Sequence, residues 1–215
     1  MKPTTFIFDM DGVMIDSEPF WRTAQINLLK DLGHSITVQD CIRYTMGKRI
    51  DDVAKTWCDL YSLKIEAKQL EQQILDQVVV NILKDGQAID GLLDLLHFLK
   101  KENYKIGLAT SSSWKIIEAV LHKLEVKHFF DEICSADDEQ YGKPNPAVYL
   151  KVMQKLESKP SECIILEDSV TGMIAAKASM AFTIVLNADI SDPKFSIADH
   201  RSTSLPSVLS YLKAL

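Results

Sequence analysis

Short β-prone apolar runs alternate with helical patterns along most of the chain, and this alternation restricts the folds open to it. The first run leads directly into Asp9 and then Gly12, as a buried strand followed by a turn does. The runs cover residues 5–8, 104–109, 132–135, 163–166 and 181–186. The alternation predicts an α/β fold, in which helices cover both faces of a parallel sheet.

The helical patterns between these runs can be placed individually. Leu92, Leu95, Leu96 and Leu99 recur at the spacing of one helix face, and residues 116–124 behave similarly. A further helix is predicted over 146–156, with Asn145 as its N-cap and Pro146 in its first turn. Ser179 stands near the end of a later helix, where glycine commonly takes the left-handed conformation that ends the helix. Serine adopts this conformation only at some cost, so the helix is expected to end differently.

Residues 16–85 interrupt the alternation with a long helical pattern that offers no good strand. Its one β-branched run, Val78 to Val80, lies inside a segment of helix length. The simplest interpretation is an inserted α-helical domain at 16–85, with residues 1–15 and 86–215 forming the α/β core domain.

Composition excludes several classes of function. The chain has 215 residues, is 47% hydrophobic and carries a net charge of −6, which suits a globular protein and argues against nucleic-acid binding. No apolar stretch reaches the length of a membrane span, and the N-terminus lacks the apolar run of a signal peptide. The four cysteines of the chain form no CxxC motif and are expected to be reduced. A cytoplasmic protein that binds no membrane is therefore expected.

Residues that can carry chemistry follow four of the predicted strands. They are Asp9 and Asp11, then Thr110 and Ser111, then Lys143, and finally Glu167 and Asp168. In a parallel sheet these strand ends meet at one edge, where ligands bind. Clustered carboxylates repel one another, and Mg²⁺ is a common compensating ion that also contacts substrate phosphate. Cation, phosphate donors and a spare carboxylate together indicate phosphoryl transfer through an aspartyl-phosphate.

Each piece also has an ordinary structural interpretation. Asp9 and Asp11 suit a turn, and Glu167-Asp168-Ser169 suits the start of a helix. A non-catalytic, cation-binding α/β module is therefore an open alternative.

Together the motifs resemble those of a known family. Asp9-Met10-Asp11-Gly12-Val13, Thr110, Lys143 and Glu167-Asp168 are similar in order and spacing to the four motifs of the haloacid dehalogenase superfamily. The insertion resembles its helical C1 cap, and the family implies a Rossmann-like core. Residues 142–146 and 167–172 resemble the β-phosphoglucomutase-like branch. Residues 16–19 and 46–51 resemble cap segments of 2-deoxyglucose-6-phosphate and hexitol phosphatases.

This resemblance implies a mechanism for hydrolysis of a phosphate monoester. Asp9 is the expected nucleophile, and Lys143 is expected to neutralise the phosphoryl oxygens that Asp9 approaches. Asp11 is expected to protonate the leaving group and then to deprotonate the attacking water.

The resemblance also implies which groups bind the metal and the phosphate. Mg²⁺ is expected on Asp9, Asp168 and the backbone carbonyl of Asp11, with Glu167 either a direct ligand or a group outside the ligand shell. Thr110 and the backbone N–H of Ser111 are expected to hold the phosphoryl group.

The insertion is expected to read the substrate, a phosphorylated sugar or polyol. Glu18, Lys48 and Arg49 are candidate contacts, although the two cations also suit a solvated turn. The expected activity is that of a 2-deoxyglucose-6-phosphatase-like enzyme, and the branch implies a monomer. β-Phosphoglucomutase is the closest alternative. Mutases of this type tend to carry a histidine where Trp21 stands, which favours hydrolysis here.

Overall fold

A computed structural model describes residues 3–45 and 48–215 of the chain. The strands are β1 (Thr5–Phe8), β2 (Lys105–Thr110), β3 (Glu132–Ser135), β4 (Cys163–Glu167), β5 (Phe182–Leu186) and β6 (His200–Ser202). The α-helices are α1 (Glu18–Asp31), α2 (Val38–Tyr44), α3 (Ile50–Tyr61), α4 (Ala67–Asp85), α5 (Leu92–Lys101), α6 (Trp114–Leu124), α7 (Ala147–Lys155), α8 (Val170–Ala178) and α9 (Leu205–Lys213).

The predicted parallel sheet is confirmed. Its strand order is β3-β2-β1-β4-β5-β6, and all neighbouring strands are parallel. Strand β1 pairs with both β2 and β4, so the strand order reverses beside it. In doubly wound sheets of this kind, that reversal opens the crevice in which ligands bind.

Both faces of the sheet are covered. Ile7 and Ile165 belong to one buried cluster with residues of α7 and α8. Successive strand residues point to opposite faces, so Phe6 and Phe8 face away from this cluster, and both are fully buried. Such two-sided burial explains why the strands read as continuous apolar runs rather than as alternating patterns.

The five predicted strands are present, and the sequence interpretation missed β6. This strand has three residues, His200 to Ser202, and pairs with β5 at the edge of the sheet. A short polar segment has no apolar pattern, and only its pairing with β5 makes it a strand.

Two helix ends differ from or refine the expectations. Pro146, not Asn145, is the N-cap of α7, although Asn145 Oδ1 accepts the Ala147 N–H at 3.0 Å. The proposed cap was therefore one residue too early, because Pro146 has not yet entered the helical conformation. At the end of α8, Ser179 stays right-handed with φ −74°, and Met180 takes the left-handed conformation at φ 67°. The expected departure at Ser179 is thus confirmed.

The chain divides into two compact units. One comprises Met1–Asp16 and Gln87–Leu215, and the other comprises Ser17–Gly86. All regular structure among the described residues of the second unit is helical, and Val78 to Val80 lies within α4 as predicted. Its interior holds a satisfied polar group, since Gln25 Oε1 accepts both the Trp57 indole N–H at 2.8 Å and the Thr45 hydroxyl at 2.9 Å. That this unit acts as a cap over the active site stays a prediction.

Two further expectations can be compared with the structure. Within residues 3–45 and 48–215, no helix combines the length and apolar character needed to cross a bilayer. The four cysteines are free thiols.

Candidate active site

The carboxyl edge of three neighbouring strands brings the predicted residues together. Asp9 follows β1, Thr110 ends β2 and Glu167 ends β4, and β1 lies between the other two strands. The Asp9 backbone N–H continues the sheet pairing by donating to Leu166 O at 2.9 Å. Asp9, Thr110 and Glu167 are all buried, so polar side chains are concentrated where water is largely excluded.

Lys143 reaches this edge from the loop after β3 and joins two of the carboxylates. Its Nζ donates to Asp9 Oδ1 and to Glu167 Oε1, each at 2.7 Å, and to the Ala109 carbonyl at 3.2 Å. These three acceptors match the three donors of an ammonium group. Burial alone would lower the pKa of Lys143, but Asp9 and Glu167 hold it above its usual value. Lys143 is therefore positively charged.

Glu167 is fully buried and has donors on both of its oxygens. Oε1 accepts from Lys143 and from the Tyr149 hydroxyl. Oε2 accepts from the backbone N–H groups of Asp168 and Ser169 at 3.1 and 3.3 Å, and from the Ser169 hydroxyl at 3.2 Å. Burial raises the pKa of Glu167, but Lys143 and the hydrogen bonds outweigh it and keep the pKa below the usual value. Glu167 is therefore an ionised carboxylate.

Two glycines leave room for these carboxylates. At Gly172 in α8, an added Cβ would lie 1.8 Å from Glu167 Oε1. At Gly12, which has φ +75°, it would lie 2.1 Å from Asp168 Oδ2. Any larger residue at either position would displace a carboxylate of the site.

Asp9, Glu167 and Asp168 each have one carboxylate oxygen in a group whose atoms all lie within 4.8 Å of one another. Burial, reinforced by neighbouring carboxylates, raises the pKa of Asp9 well above its usual value and that of Asp168 to about 7. The single positive charge of Lys143 does not balance three carboxylates. Carboxylate oxygens are ligands that Mg²⁺ prefers, so the donor set fits a divalent cation.

Asp11 lies beside a loop of hydroxyl groups after β2. The Ser112 hydroxyl donates to Asp11 Oδ2 at 2.7 Å, and the Ser112 backbone N–H donates to Thr110 Oγ1 at 3.0 Å. Ser111, which lies between Thr110 and Ser112 in the chain, is exposed. The loop thus links Asp11 to Thr110, and the predicted phosphate contacts of Thr110 and Ser111 stay predictions.

The chain matches the model of the haloacid dehalogenase-like hydrolase family over residues 6–186. It belongs to that family. Hexitol phosphatase B of Escherichia coli strain K12 is 35% identical over 205 residues, covering 93% of this chain and 91% of the relative. A phosphorylated carbohydrates phosphatase of Thermotoga maritima is 29% identical, with 80% of each chain covered. The sequence resemblance is thereby confirmed.

The fold of this haloacid dehalogenase-like hydrolase is also found among solved structures. A β-phosphoglucomutase from Clostridium difficile superposes with a TM-score of 0.81 at 24% identity, covering 99% of this chain and 96% of that one. At this identity the likeness concerns the fold alone, so it does not distinguish a mutase from a phosphatase.

The three candidate residues of the inserted unit have local partners in it. Glu18 forms an ion pair with Arg22 at 2.5 Å, Lys48 donates to Thr56 Oγ1 at 3.0 Å, and Arg49 lies 3.5 Å from Asp51. The segment that resembles other cap loops includes Met46 and Gly47, which lie outside the described residues. Substrate contacts by this segment stay predictions.

Four residues of the site were given no role from the sequence, although Ser112, Ser169 and Gly172 stand in the segments that follow the strands. Tyr149 and Ser169 hold Glu167, Ser112 contacts Asp11, and Gly172 makes room for Glu167. The family motifs already include Ser169 and Gly172 near Glu167, so their proximity in sequence was a usable signal. Tyr149 and Ser112 reach their partners through the fold, and no local pattern indicates those contacts.

Proposed function

We propose that this phosphoric monoester hydrolase cleaves phosphorylated sugars or polyols through an aspartyl-phosphate on Asp9. The carrying observation is the Lys143 ammonium, held 2.7 Å from Asp9 Oδ1 at the buried edge of the sheet. An anionic nucleophile can approach an anionic phosphate only where positive charge offsets their repulsion. The names of the hexitol and phosphorylated-carbohydrate phosphatase relatives support the substrate class.

In the first step, an Asp9 oxygen attacks phosphorus while Lys143 stabilises charge on the phosphoryl oxygens. The new bond joins Asp9 to phosphorus, and the bond between phosphorus and the sugar oxygen breaks. Asp11 gives its proton to that oxygen, so the sugar leaves as a neutral alcohol. Thr110 and the Ser111 N–H hold the phosphoryl group during the transfer.

In the second step, water attacks the phosphorus of the aspartyl-phosphate. Asp11, now ionised, removes the proton from this water, and the bond between Asp9 and phosphorus breaks. Inorganic phosphate leaves, Asp9 is again a carboxylate, and Asp11 is again protonated for the next cycle.

Asp9 and Asp168 are the side chains proposed to hold Mg²⁺, together with the Asp11 backbone carbonyl. When bound, the ion supplies Lewis-acid stabilisation of the phosphoryl oxygens. For Glu167 we propose a supporting role, because a carboxylate has about four lone-pair sites and its two oxygens already accept five hydrogen bonds. Direct ligation by Glu167 would displace one of these donors.

For substrate preference, we propose 2-deoxyglucose 6-phosphate or a hexitol phosphate, read by Glu18, Lys48 and Arg49. A phosphate-release screen over phosphorylated metabolites tests this choice. Alanine substitution of a residue that reads the sugar raises KM for the preferred substrate more than KM for p-nitrophenyl phosphate. We also propose that the enzyme acts as a monomer. Light scattering of the protein as it elutes from a size-exclusion column measures its molar mass and tests this.

The Asp9→Asn variant tests the mechanism within the same screen. It keeps the shape of the side chain but removes the nucleophilic carboxylate, so we expect turnover to fall below about one-thousandth of wild type. Retained turnover in a folded variant excludes the aspartyl-phosphate. Conversion of β-glucose 1-phosphate without phosphate release would instead identify a mutase.

A further inference from the structure

Asp11 is held by a hydroxyl that belongs to the neighbouring strand's loop. Ser112 Oγ donates to Asp11 Oδ2 at 2.7 Å, although the two residues are 101 positions apart in the chain. This distance is that of a well-formed O–H···O hydrogen bond. The side-chain position of Asp11 therefore depends on where Ser112 lies.

Ser112 is itself fixed from two sides. Its backbone N–H donates to Thr110 Oγ1 at 3.0 Å, and its carbonyl accepts the Ser135 hydroxyl at 2.8 Å. Ser135 ends β3 and is fully buried. The three strands β3, β2 and β1 are consecutive in the sheet, so a line of hydrogen bonds runs along their carboxyl edge from Ser135 through Ser112 to Asp11.

We propose that Ser112 is the positioning residue for Asp11 in both steps of the reaction. This inference rests on the proposed function, in which Asp11 is the general acid and then the general base. The Ser112 hydroxyl can donate to Oδ2 whether Asp11 is protonated or ionised, so it fixes the carboxyl group in both states.

Two alternative roles for Ser112 predict different effects of its substitution on rate and stability. A residue that binds the phosphoryl group affects every substrate, including one whose leaving group needs no proton. A residue that only stabilises the loop affects unfolding without changing the ratio of rates between substrates. Positioning of Asp11 instead predicts a loss that depends on the need for proton transfer.

The experiment compares 2-deoxyglucose 6-phosphate, whose sugar alkoxide must be protonated, with p-nitrophenyl phosphate, whose phenolate leaves without a proton. First-turnover rates are measured with enzyme in excess, and steady-state kcat and KM with substrate in excess. For Ser112→Ala we expect about a tenfold lower first-turnover rate and kcat on the sugar phosphate, equivalent to about 1.4 kcal/mol of transition-state stabilisation. We expect a change of less than about twofold in KM and in first-turnover release of p-nitrophenolate.

Ser113→Ala is the matched control, because the Ser113 hydroxyl is buried in the same loop without a hydrogen-bond partner among the described residues. It is expected to leave both substrates unchanged. Ser112→Thr keeps a hydroxyl and is expected to recover most of the sugar-phosphate rate. The thermal midpoint of each variant reports on folding.

Two results overturn the proposal. The first is an unchanged kcat on the sugar phosphate in a folded Ser112→Ala variant, whether or not KM rises. The second is an equal loss of first-turnover rate on both substrates. Asp11→Asn separates these from failure of the proposed function, because full turnover in Asp11→Asn removes the acid–base role of Asp11 itself.

Discussion

Gly172 lies within α8, where alanine is ordinarily the better residue by about 1 kcal/mol. The structure predicts the opposite effect for Gly172→Ala. The new Cβ would lie 1.8 Å from Glu167 Oε1 and 2.0 Å from Glu167 Cδ, whereas ordinary contact begins at 3.4 Å. The Glu167 carboxylate must therefore move by about 1.6 Å, the difference between 3.4 and 1.8 Å.

A movement of this size separates Glu167 from Lys143 and Tyr149, its two partners at Oε1. Hydrogen bonds to a charged group are worth about 1.5–3 kcal/mol each, so the loss is about 3–6 kcal/mol. After the gain in helix propensity, Gly172→Ala should lower the free energy of unfolding by about 2–5 kcal/mol. We also expect kcat to fall about 100-fold, because Lys143 loses the partner that places it beside Asp9.

Urea unfolding of the wild type and the variant measures the first effect, and phosphate release measures the second. Thr171→Ala is the matched control, since Thr171 is the exposed neighbour of Gly172 in α8 and its substitution adds helix propensity without placing an atom against Glu167. The hydroxyl that it removes lies 3.4 Å from Ser169 Oγ. In a Glu167→Ala background the obstacle is gone, and Gly172→Ala should become stabilising by about 1 kcal/mol. A Gly172→Ala protein as stable as the wild type would refute the reasoning.

Two other predictions concern the metal site and the end of α8. In metal-free protein the folded-state pKa of Asp168 is raised to about 7, so the folded state binds more protons than the unfolded state between pH 4 and 7, and stability is lost as the pH rises through this window. Mg²⁺ binding offsets this loss, so the rise in thermal midpoint that Mg²⁺ causes should be larger at pH 8 than at pH 5. Enzymatic activity should also stop in EDTA. Equal rises at the two pH values, or full activity in EDTA, would contradict the metal assignment. Met180→Gly should raise the free energy of unfolding by about 0.5–1 kcal/mol, because Met180 is 79% exposed at φ 67°, where a side chain is unfavourable. Met180→Ala removes the same side chain but keeps Cβ, and an equal gain from it would show that the backbone conformation is not the cause.

The fold could be predicted from the sequence wherever an element has a local signature. Strands β1 to β5 are apolar because they are buried on both faces, and they appear as short apolar runs between helical patterns. Strand β6 has no such run, and its existence depends on pairing with β5. Similarly, Asn145 has the composition of an N-cap, but the backbone of Pro146 decides which residue occupies that position.

The site divides in the same way. Asp9, Thr110, Lys143 and Asp168 could be named from the sequence, because each follows a predicted strand and parallel strands end at a common edge. What the sequence by itself determined is this set of chemical groups and the edge at which they meet. Only the tertiary structure decided how they are held: Lys143 between Asp9 and Glu167, Tyr149 beneath Glu167, and Ser112 on Asp11. These are contacts of about 3 Å between residues 18 to 134 positions apart, and only the packing of strands and helices creates them.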